Sequence, residues 1–380
     1  MRTIGCYALT GALNAHFMSI ETLEEKTAVS SPDMMLDRPK KYLLHIAQNY
    51  SFAILRPLQA AIRARGHEVK WFVYGSAVNL SYFEANEQRL PTVEAVIAYQ
   101  PDAVFVPGNL VPDFFPGLKV QVFHGFDAGK FSDRKGHYAI RGLFDMYCTQ
   151  GPNTTEKFQI LADKHKHFSV AETGWSAIDS LYDYTPVEHD KPVILLCSTF
   201  SRKMTCAPHL FEQVKKLSAT GRWQWLVQFH PKMDQETVAL YKGIQSEHLT
   251  FVETDNVLPL LQKADVMVCD TSSVLIMFLL LGKPVVTFKN ARPRDYLIDF
   301  DNPTELEQHI ETALTQPQSL MAKIAQYQRE THPYQDGKSS ERVLAAVDER
   351  LAGRHQPAKQ KPLNLVRKFK MRKKLKHWKL

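Results

Sequence analysis

Short apolar runs alternate with amphipathic stretches along most of this chain, the pattern of strands covered on both faces and separated by helices. Tyr42 to Ala47 reads as a strand. Phe52 to Arg65 reads as a helix stopped by Gly66, and Val69 to Tyr74 as the next strand. Ala103 to Val106, Val120 to Phe123 and Met146 to Cys148 continue the series. Tyr182 to Pro192 lacks hydrophobic periodicity and reads as a linker. A second series follows, with strands at Val193 to Cys197, Trp225 to Phe229, Leu249 to Val252 and Val266 to Cys269. Helices are predicted near Pro208 to Leu217 and at Val257 to Lys263, Pro303 to Arg329 and Ser340 to Leu351.

Such alternation predicts an α/β protein with parallel sheets. The economical architecture is two doubly wound, Rossmann-like domains with a ligand cleft between them. Residues 1–185 form the N-terminal domain, within which 1–40 precede the first clear strand and are not placed. Residues 186–352 form the C-terminal domain with its closing helices, and residues 353–380 form a basic tail.

The most informative stretch is ADVMVCDTSSVLIMFLLLGKPVVTF, residues 264–288. A buried strand breaks at Asp270-Thr271-Ser272-Ser273, a very apolar helix follows, and Gly282-Lys283-Pro284 leads into another strand. Hydroxyls where a helix begins, beside unsatisfied N–H groups and the positive dipole end, suit a phosphate. Taken alone, Thr271 or Ser272 reads equally well as an ordinary N-cap.

Two more motifs sit at predicted strand ends, where open α/β sheets gather ligands. One is Gln228-Phe229-His230-Pro231-Lys232, and the other Phe123-His124-Gly125. An ordinary imidazole titrates near 6.5, so a histidine facing the cleft can accept a proton at neutral pH.

The chain has 380 residues, 44% hydrophobic and 23% charged, enough for about two domains. Its longest pure apolar run, Val274 to Leu281, is too short to span a bilayer. Five cysteines without a CxxC pair, three of them in apolar strands, point to a reducing cytoplasm and no structural zinc. The net charge of +7 misleads until it is divided: residues 359–380 hold ten Lys or Arg and no acid, so the other 358 residues sum to −3. The body is therefore not a nucleic-acid-binding surface, and the tail is a separate electrostatic device.

In order and spacing, these motifs resemble the CDP-glycerol glycerophosphotransferase family, the enzymes that prime and polymerise teichoic acids. The resemblance rests on His124-Gly125, His230-Pro231, Asp270-Thr271-Ser272-Ser273, Lys283-Pro284 and the segment Asp336 to Arg342, over roughly residues 120–345. It implies a GT-B-like fold with the acceptor on the side of the N-terminal domain, 1–185, and the nucleotide bound by the C-terminal domain, 186–352. It also implies transfer of glycerol phosphate from CDP-glycerol, or another cytidine nucleotide donor, to a hydroxyl of a membrane-linked acceptor, releasing CMP. His124 would then be the base, and His230 would sit at the transferred phosphate. Ser272 and Ser273 would hold the diphosphate, with Thr271, Thr199 and Arg202 also on the phosphate side.

Phosphoryl transfer needs mostly positioning and charge stabilisation. The expectation is therefore no required metal or cofactor, with Mg²⁺ at most a non-essential activator. Asp299-Phe300-Asp301 spells a possible cation-binding DxD, but in a stretch that reads as helical and acidic. The chain departs from the family's pattern at Phe126-Asp127, at Gly174 to Asp179 and at Thr271, mostly toward the acceptor side.

A GT-B glycosyltransferase using a CMP-sugar or other nucleotide sugar is the alternative reading. A non-catalytic protein whose basic tail binds nucleic acid or membrane is the alternative of another class. The preferred reading expects no nucleic-acid partner. It places the protein in the cytoplasm, peripheral on the inner face of the membrane, with the tail on anionic lipid. On a helical wheel the tail's apolar residues fall into two groups, Leu365, Val366, Phe369 and Leu380 apart from Met371, Leu375 and Trp378.

Overall fold

A computed structural model describes residues 38–126, 138–186, 188–254 and 256–378. The segment 1–37, Cys6, Asp127, Lys379 and Leu380, all used in reading the sequence, lie outside the described residues.

Two six-stranded, wholly parallel sheets carry the fold. The first has strands β1 (Lys41–Ile46), β2 (Glu68–Val73), β3 (Ala103–Val106), β4 (Leu118–Gln121), β5 (Met146–Thr149) and β6 (Ser169–Glu172). They lie side by side as β2-β1-β3-β4-β5-β6. The second has β7 (Val193–Ser198), β8 (Gln224–Phe229), β9 (Leu249–Phe251), β10 (Val266–Cys269), β11 (Val285–Phe288) and β12 (Ile298–Phe300). Their order is β12-β11-β10-β7-β8-β9. The strand order therefore reverses between β7 and β10, the switch point where doubly wound sheets open a crevice for ligands.

Central strands are apolar without alternation because both faces are covered. Every residue of β3, β7, β10 and β11 is buried. Cys148, Cys197, Cys206 and Cys269 are buried free thiols, and burial pushes Cys148 and Cys197 up to about 12.

Helices α1 (Ser51–Ala64), α2 (Val93–Tyr99) and α3 (Pro152–His165) serve the first sheet. With the second come α4 (Ala207–Ser218), α5 (Gln235–Gly243), α6 (Leu258–Lys263), α7 (Val274–Leu280), α8 (Leu306–Leu314) and α9 (Gln318–Thr331). The region predicted as one helix from Pro303 is two, because Pro317 cannot continue α8 and Gln316 takes a left-handed turn at φ 46°.

The chain crosses between the sheets twice. A 3-10 turn at Ser176–Leu181 packs Trp175, Ile178 and Leu181 into one core with Leu195, Met267 and Phe278 of the second sheet's layers. Helix α10 (Ser339–Leu351) returns to the first sheet and buries Val343, Leu344 and Val347 there. Asp179 fastens the two crossings, its carboxylate accepting from Ser339 N and Ser340 N, both at 2.8 Å. The segment Asp336 to Arg342 is thus the capped start of a crossing helix.

The tail is not a separate device. Lys359 N donates to Lys166 O at 2.7 Å, Lys361 pairs with Asp145 at 2.7 Å, and α11 (Leu365–Leu375) lies against the first sheet's layer. Among the described residues no helix is long and apolar enough to cross a membrane.

Candidate functional site

A cavity of about 600 Å³ opens where the two crossings bring the sheets' loops together. From the second sheet it takes Thr271, Ser272 and Ser273 at the end of β10, and Arg292 and Arg294 from the β11–β12 loop. From the first sheet it takes Phe126, Gln150 and, on α3, Lys157. Lys157, Arg292 and Arg294 are its charged lining residues, and none of the described lining residues is acidic. A pocket with that charge balance suits a polyanion such as a diphosphate.

The Asp-Thr-Ser-Ser segment divides its labour. Asp270 is fully buried and accepts from Ser198 Oγ at 2.7 Å, Thr199 N at 3.0 Å and Cys206 N at 3.1 Å. Desolvation raises its pKa above the usual carboxylate value, opposed by those bonds. It ties β7 to β10 across the switch point. Thr271 Oγ1 accepts from Ala291 N at 2.9 Å, holding the loop that carries Arg292 and Arg294. Ser273 stands at the N-cap of α7 without a side-chain capping bond. With only seven residues, α7 offers a small dipole, so the cations contribute more of the positive field than the sequence suggested.

Lys283 is structural. Its ammonium donates to the carbonyls of Gln262 at 2.6 Å, Ala264 at 2.7 Å and Leu261 at 3.2 Å, closing the C-terminal end of α6.

His124 follows β4 in a held geometry. Phe123 before it is left-handed at φ 60°, uncommon for a bulky residue, and its fully buried ring packs on Phe158 at 5.2 Å. His124 Nδ1 lies 3.2 Å from Pro107 O. A carbonyl only accepts, so in the neutral ring the proton is on Nδ1 and Nε2 carries the lone pair. Gln150 Nε2 donates to Gly125 O at 2.7 Å, linking this turn to the cavity wall.

His230 has the opposite tautomer. Its Nδ1 accepts from Lys232 N at 3.0 Å, which leaves the proton on Nε2. Partial desolvation, with the Lys232 charge, lowers its pKa below the ordinary imidazole value. His230 lines a neighbouring cavity of about 410 Å³ at the ends of β8 and β9, with the Phe200 ring centred 4.5 Å from its own and tilted by 40°. Thr199 and the exposed Arg202 belong to the β7–α4 loop between the two cavities and line neither.

The structure therefore brings Thr271, Ser272 and Ser273 into the main cavity and gives His230 a cavity of its own, whereas His124 lines neither cavity and stands two residues before the lining residue Phe126. Lys157, Arg292, Arg294 and Gln150 were missed. Arg292 and Arg294 are isolated cations in a polar loop and Lys157 is one exposed lysine on α3, so none carries a periodic signal. Asn290-Ala291-Arg292-Pro293-Arg294 directly after a strand was the usable hint.

The Asp-Phe-Asp segment is corrected: it lies at the edge strand β12, not in a helical stretch. Asp299 Oδ1 accepts from Thr287 Oγ1 at 2.6 Å and Asn290 N at 3.0 Å, and so supports the loop bearing Arg292.

Comparison with known proteins defines the class first. A Listeria monocytogenes protein assigned as a UDP-N-acetylglucosamine 2-epimerase superposes with a TM-score of 0.62 at 16% identity, covering 86% of this chain and all of its own. S. aureus MnaA with UDP gives 0.57 at 18%, covering 85% and 100%. The wall teichoic acid polymerase TagF gives 0.56 at 13%, covering 84% and 91%. These likenesses establish the GT-B-like, two-sheet fold. No curated protein matches the chain in sequence. A family match is narrower in reach: residues 169–349 match CDP-Glycerol:Poly(glycerophosphate) glycerophosphotransferase, so the resemblance read from the motifs is supported over the second sheet and its crossings, and His124-Gly125 lies outside the match.

Proposed function

We propose that this protein transfers glycerol phosphate from CDP-glycerol to a hydroxyl of a membrane-linked glycan or glycerophosphate acceptor, releasing CMP. The observation that carries the reading is the main cavity, built from both sheets' loops with three cations and no carboxylate among its described lining residues. The family match over 169–349 supports the donor, as does the shared fold of a TagF variant soaked with CDPG, TM-score 0.55 at 14% identity and covering 83% and 89%.

In the proposed reaction the acceptor oxygen attacks the phosphorus that bears glycerol, and the bond to the bridging oxygen breaks. CMP departs, and the hydroxyl proton passes to His124 Nε2. Lys157, Arg292 and Arg294, with Ser272 and Ser273, balance the diphosphate charge, and His230 Nε2–H donates to a phosphoryl oxygen. We further propose that Thr199 and Arg202, on the loop between the two cavities, reach the phosphate although they line neither cavity. Because fixed cations line the cavity, we propose that no divalent metal is required and that Mg²⁺ only screens the substrates.

A second reading, a glycosyltransferase using a CMP-sugar or UDP-sugar, draws on the UDP-related names of two fold neighbours. Nucleotide release measured with CDP-glycerol, a CMP-sugar and a UDP-sugar, each with and without chelator, separates the readings. CMP release from CDP-glycerol alone, abolished in Arg294→Ala and insensitive to chelator, is expected. Turnover of a nucleotide sugar instead overturns the proposal. Loss of activity in chelator that Mn²⁺ restores overturns the metal-free part.

A further inference from the structure

Helix α11 carries two apolar stripes, and only one of them is used inside the molecule. Met371 is buried and Leu375 packs on the first sheet's core. Lys368 and Arg372 flank them, each 3.7 Å from Asp113, and Asn364 Nδ2 donates to Arg141 O at 2.8 Å. These residues are the docking face.

The opposite stripe has no partner among the described residues. Leu365, Val366 and Phe369 are 69%, 68% and 57% exposed. After α11, Lys376 turns left-handed at φ 53°, which brings the 56%-exposed Trp378 to 5.4 Å from Phe369. With Leu363, this short segment supplies five of the fourteen exposed large hydrophobics among the described residues, a concentration that marks an interaction surface. Lys370, Lys373 and Lys376 stand exposed beside them, and residues 354–378 contain no Asp or Glu.

We propose that this outer stripe is a docking plate for an anionic lipid bilayer, held rigidly on the first sheet by the inner stripe. Aromatic and aliphatic side chains ringed by lysines match the boundary between headgroups and acyl chains, where charge attracts and the apolar groups insert. The imperfect single wheel of the tail becomes two stripes with two partners, but Trp378, grouped on the wheel with Met371 and Leu375, joins Phe369 instead because α11 ends at Leu375.

The plate also orients the molecule. Asp145, paired with Lys361, precedes β5, whereas Lys374 lies 4.3 Å over the ring of Tyr74, which follows β2. The tail thus climbs from the starting edge of the first sheet to its C-terminal edge, the edge that bears His124. On the transfer reading above, this turns the acceptor side toward lipid-linked substrate.

The test is co-sedimentation of the full chain with phosphatidylcholine vesicles, with and without about 30% phosphatidylglycerol. Binding to the anionic vesicles only, released by salt, is expected. Phe369→Glu/Trp378→Glu and Lys370→Glu/Lys373→Glu should each lower partitioning at least about tenfold, with unfolding temperature unchanged because these side chains are mostly exposed. Brominated lipid should quench wild-type fluorescence and not that of Trp378→Phe. Undiminished vesicle binding in both double variants overturns the plate. So does a wild-type dimer that the Phe369/Trp378 variant dissociates without altering vesicle binding, or salt-sensitive binding to a DNA duplex in preference to vesicles. None of these readouts involves turnover, so failure here leaves the transfer reaction standing.

Discussion

Two histidines at strand ends acquire opposite chemistry from one backbone atom each. Pro107 O accepts a hydrogen bond from Nδ1–H of His124, which puts the lone pair on Nε2, whereas Lys232 N–H donates to Nδ1 of His230 and leaves a donor at Nε2. The first can accept the acceptor's proton and the second can hold a phosphoryl oxygen. His124→Ala should therefore lower turnover by about a hundred- to ten-thousand-fold with nucleotide affinity preserved, the range of a positioned general base. His230→Ala should lower turnover while nucleotide affinity changes little. Single-turnover rates and calorimetry separate these effects. Near-normal turnover in His124→Ala removes it from the chemistry, and an equal loss of affinity and rate in His230→Ala makes it a ground-state binding residue. Both histidines were legible in the sequence because each ends an apolar run. Their tautomers were not, since Pro107 lies 17 residues before His124 and meets it only through the pairing of β3 with β4.

At the scale of elements, several residues of the recognised motifs hold the scaffold. Asp270 bridges the switch point, Asp179 caps α10, and Lys283 closes α6. Lys283 is partly desolvated, which lowers its pKa, and its ammonium serves three carbonyls at the end of α6 at once. Lys283→Met should cost about 1–3 kcal/mol of stability, the range for leaving buried acceptors unsatisfied, with donor affinity unchanged. Urea unfolding and nucleotide titration check this, and weakened nucleotide binding in a stable variant would place Lys283 in the site instead.

The central strands were readable because burial on both faces makes them uniformly apolar. Strands β6 and β12 were not. The first is four half-buried residues at a sheet edge, and the second is three residues that include an exposed Asp299. At these two edges the apolar signal goes with the second covering layer, whereas the edge strands β2 and β9 still bury apolar side chains and were legible. The tail's docking escaped detection for a related reason, since Met371 and Leu375 are a minority among lysines until Asp113 supplies the complementary charge.

Across the whole molecule, buried imidazoles set how stability responds to acid. His45 is 2% exposed in the first sheet, and His332 is 1% exposed where α9 leads to α10 and accepts from Trp175 N at 3.0 Å. Desolvation lowers both to about 4. Unfolded, each titrates near 6.5, so between those values the unfolded chain binds protons that the folded one refuses, and stability falls as pH falls. Each histidine contributes a slope of about 1.4 kcal/mol per pH unit well inside that window. His67 and His167 are lowered too, by desolvation first, and act in the same sense.

Asp179 and Asp270 oppose this at the acid end, because desolvation raises them and the folded state takes up their protons first. The upper part of the window, from about pH 6.5 to 5, therefore belongs to the histidines. His45 Nδ1 has no partner, and the ring stacks 5.8 Å from Phe72, so Phe fits the role without the charge. His45→Phe should unfold in urea at nearly the wild-type midpoint at pH 7.5. At pH 5.5 it should be the more stable protein, by up to about 1 kcal/mol. Wild type and variant losing stability in parallel over that interval would show that His45 is not one of the groups that refuse the proton.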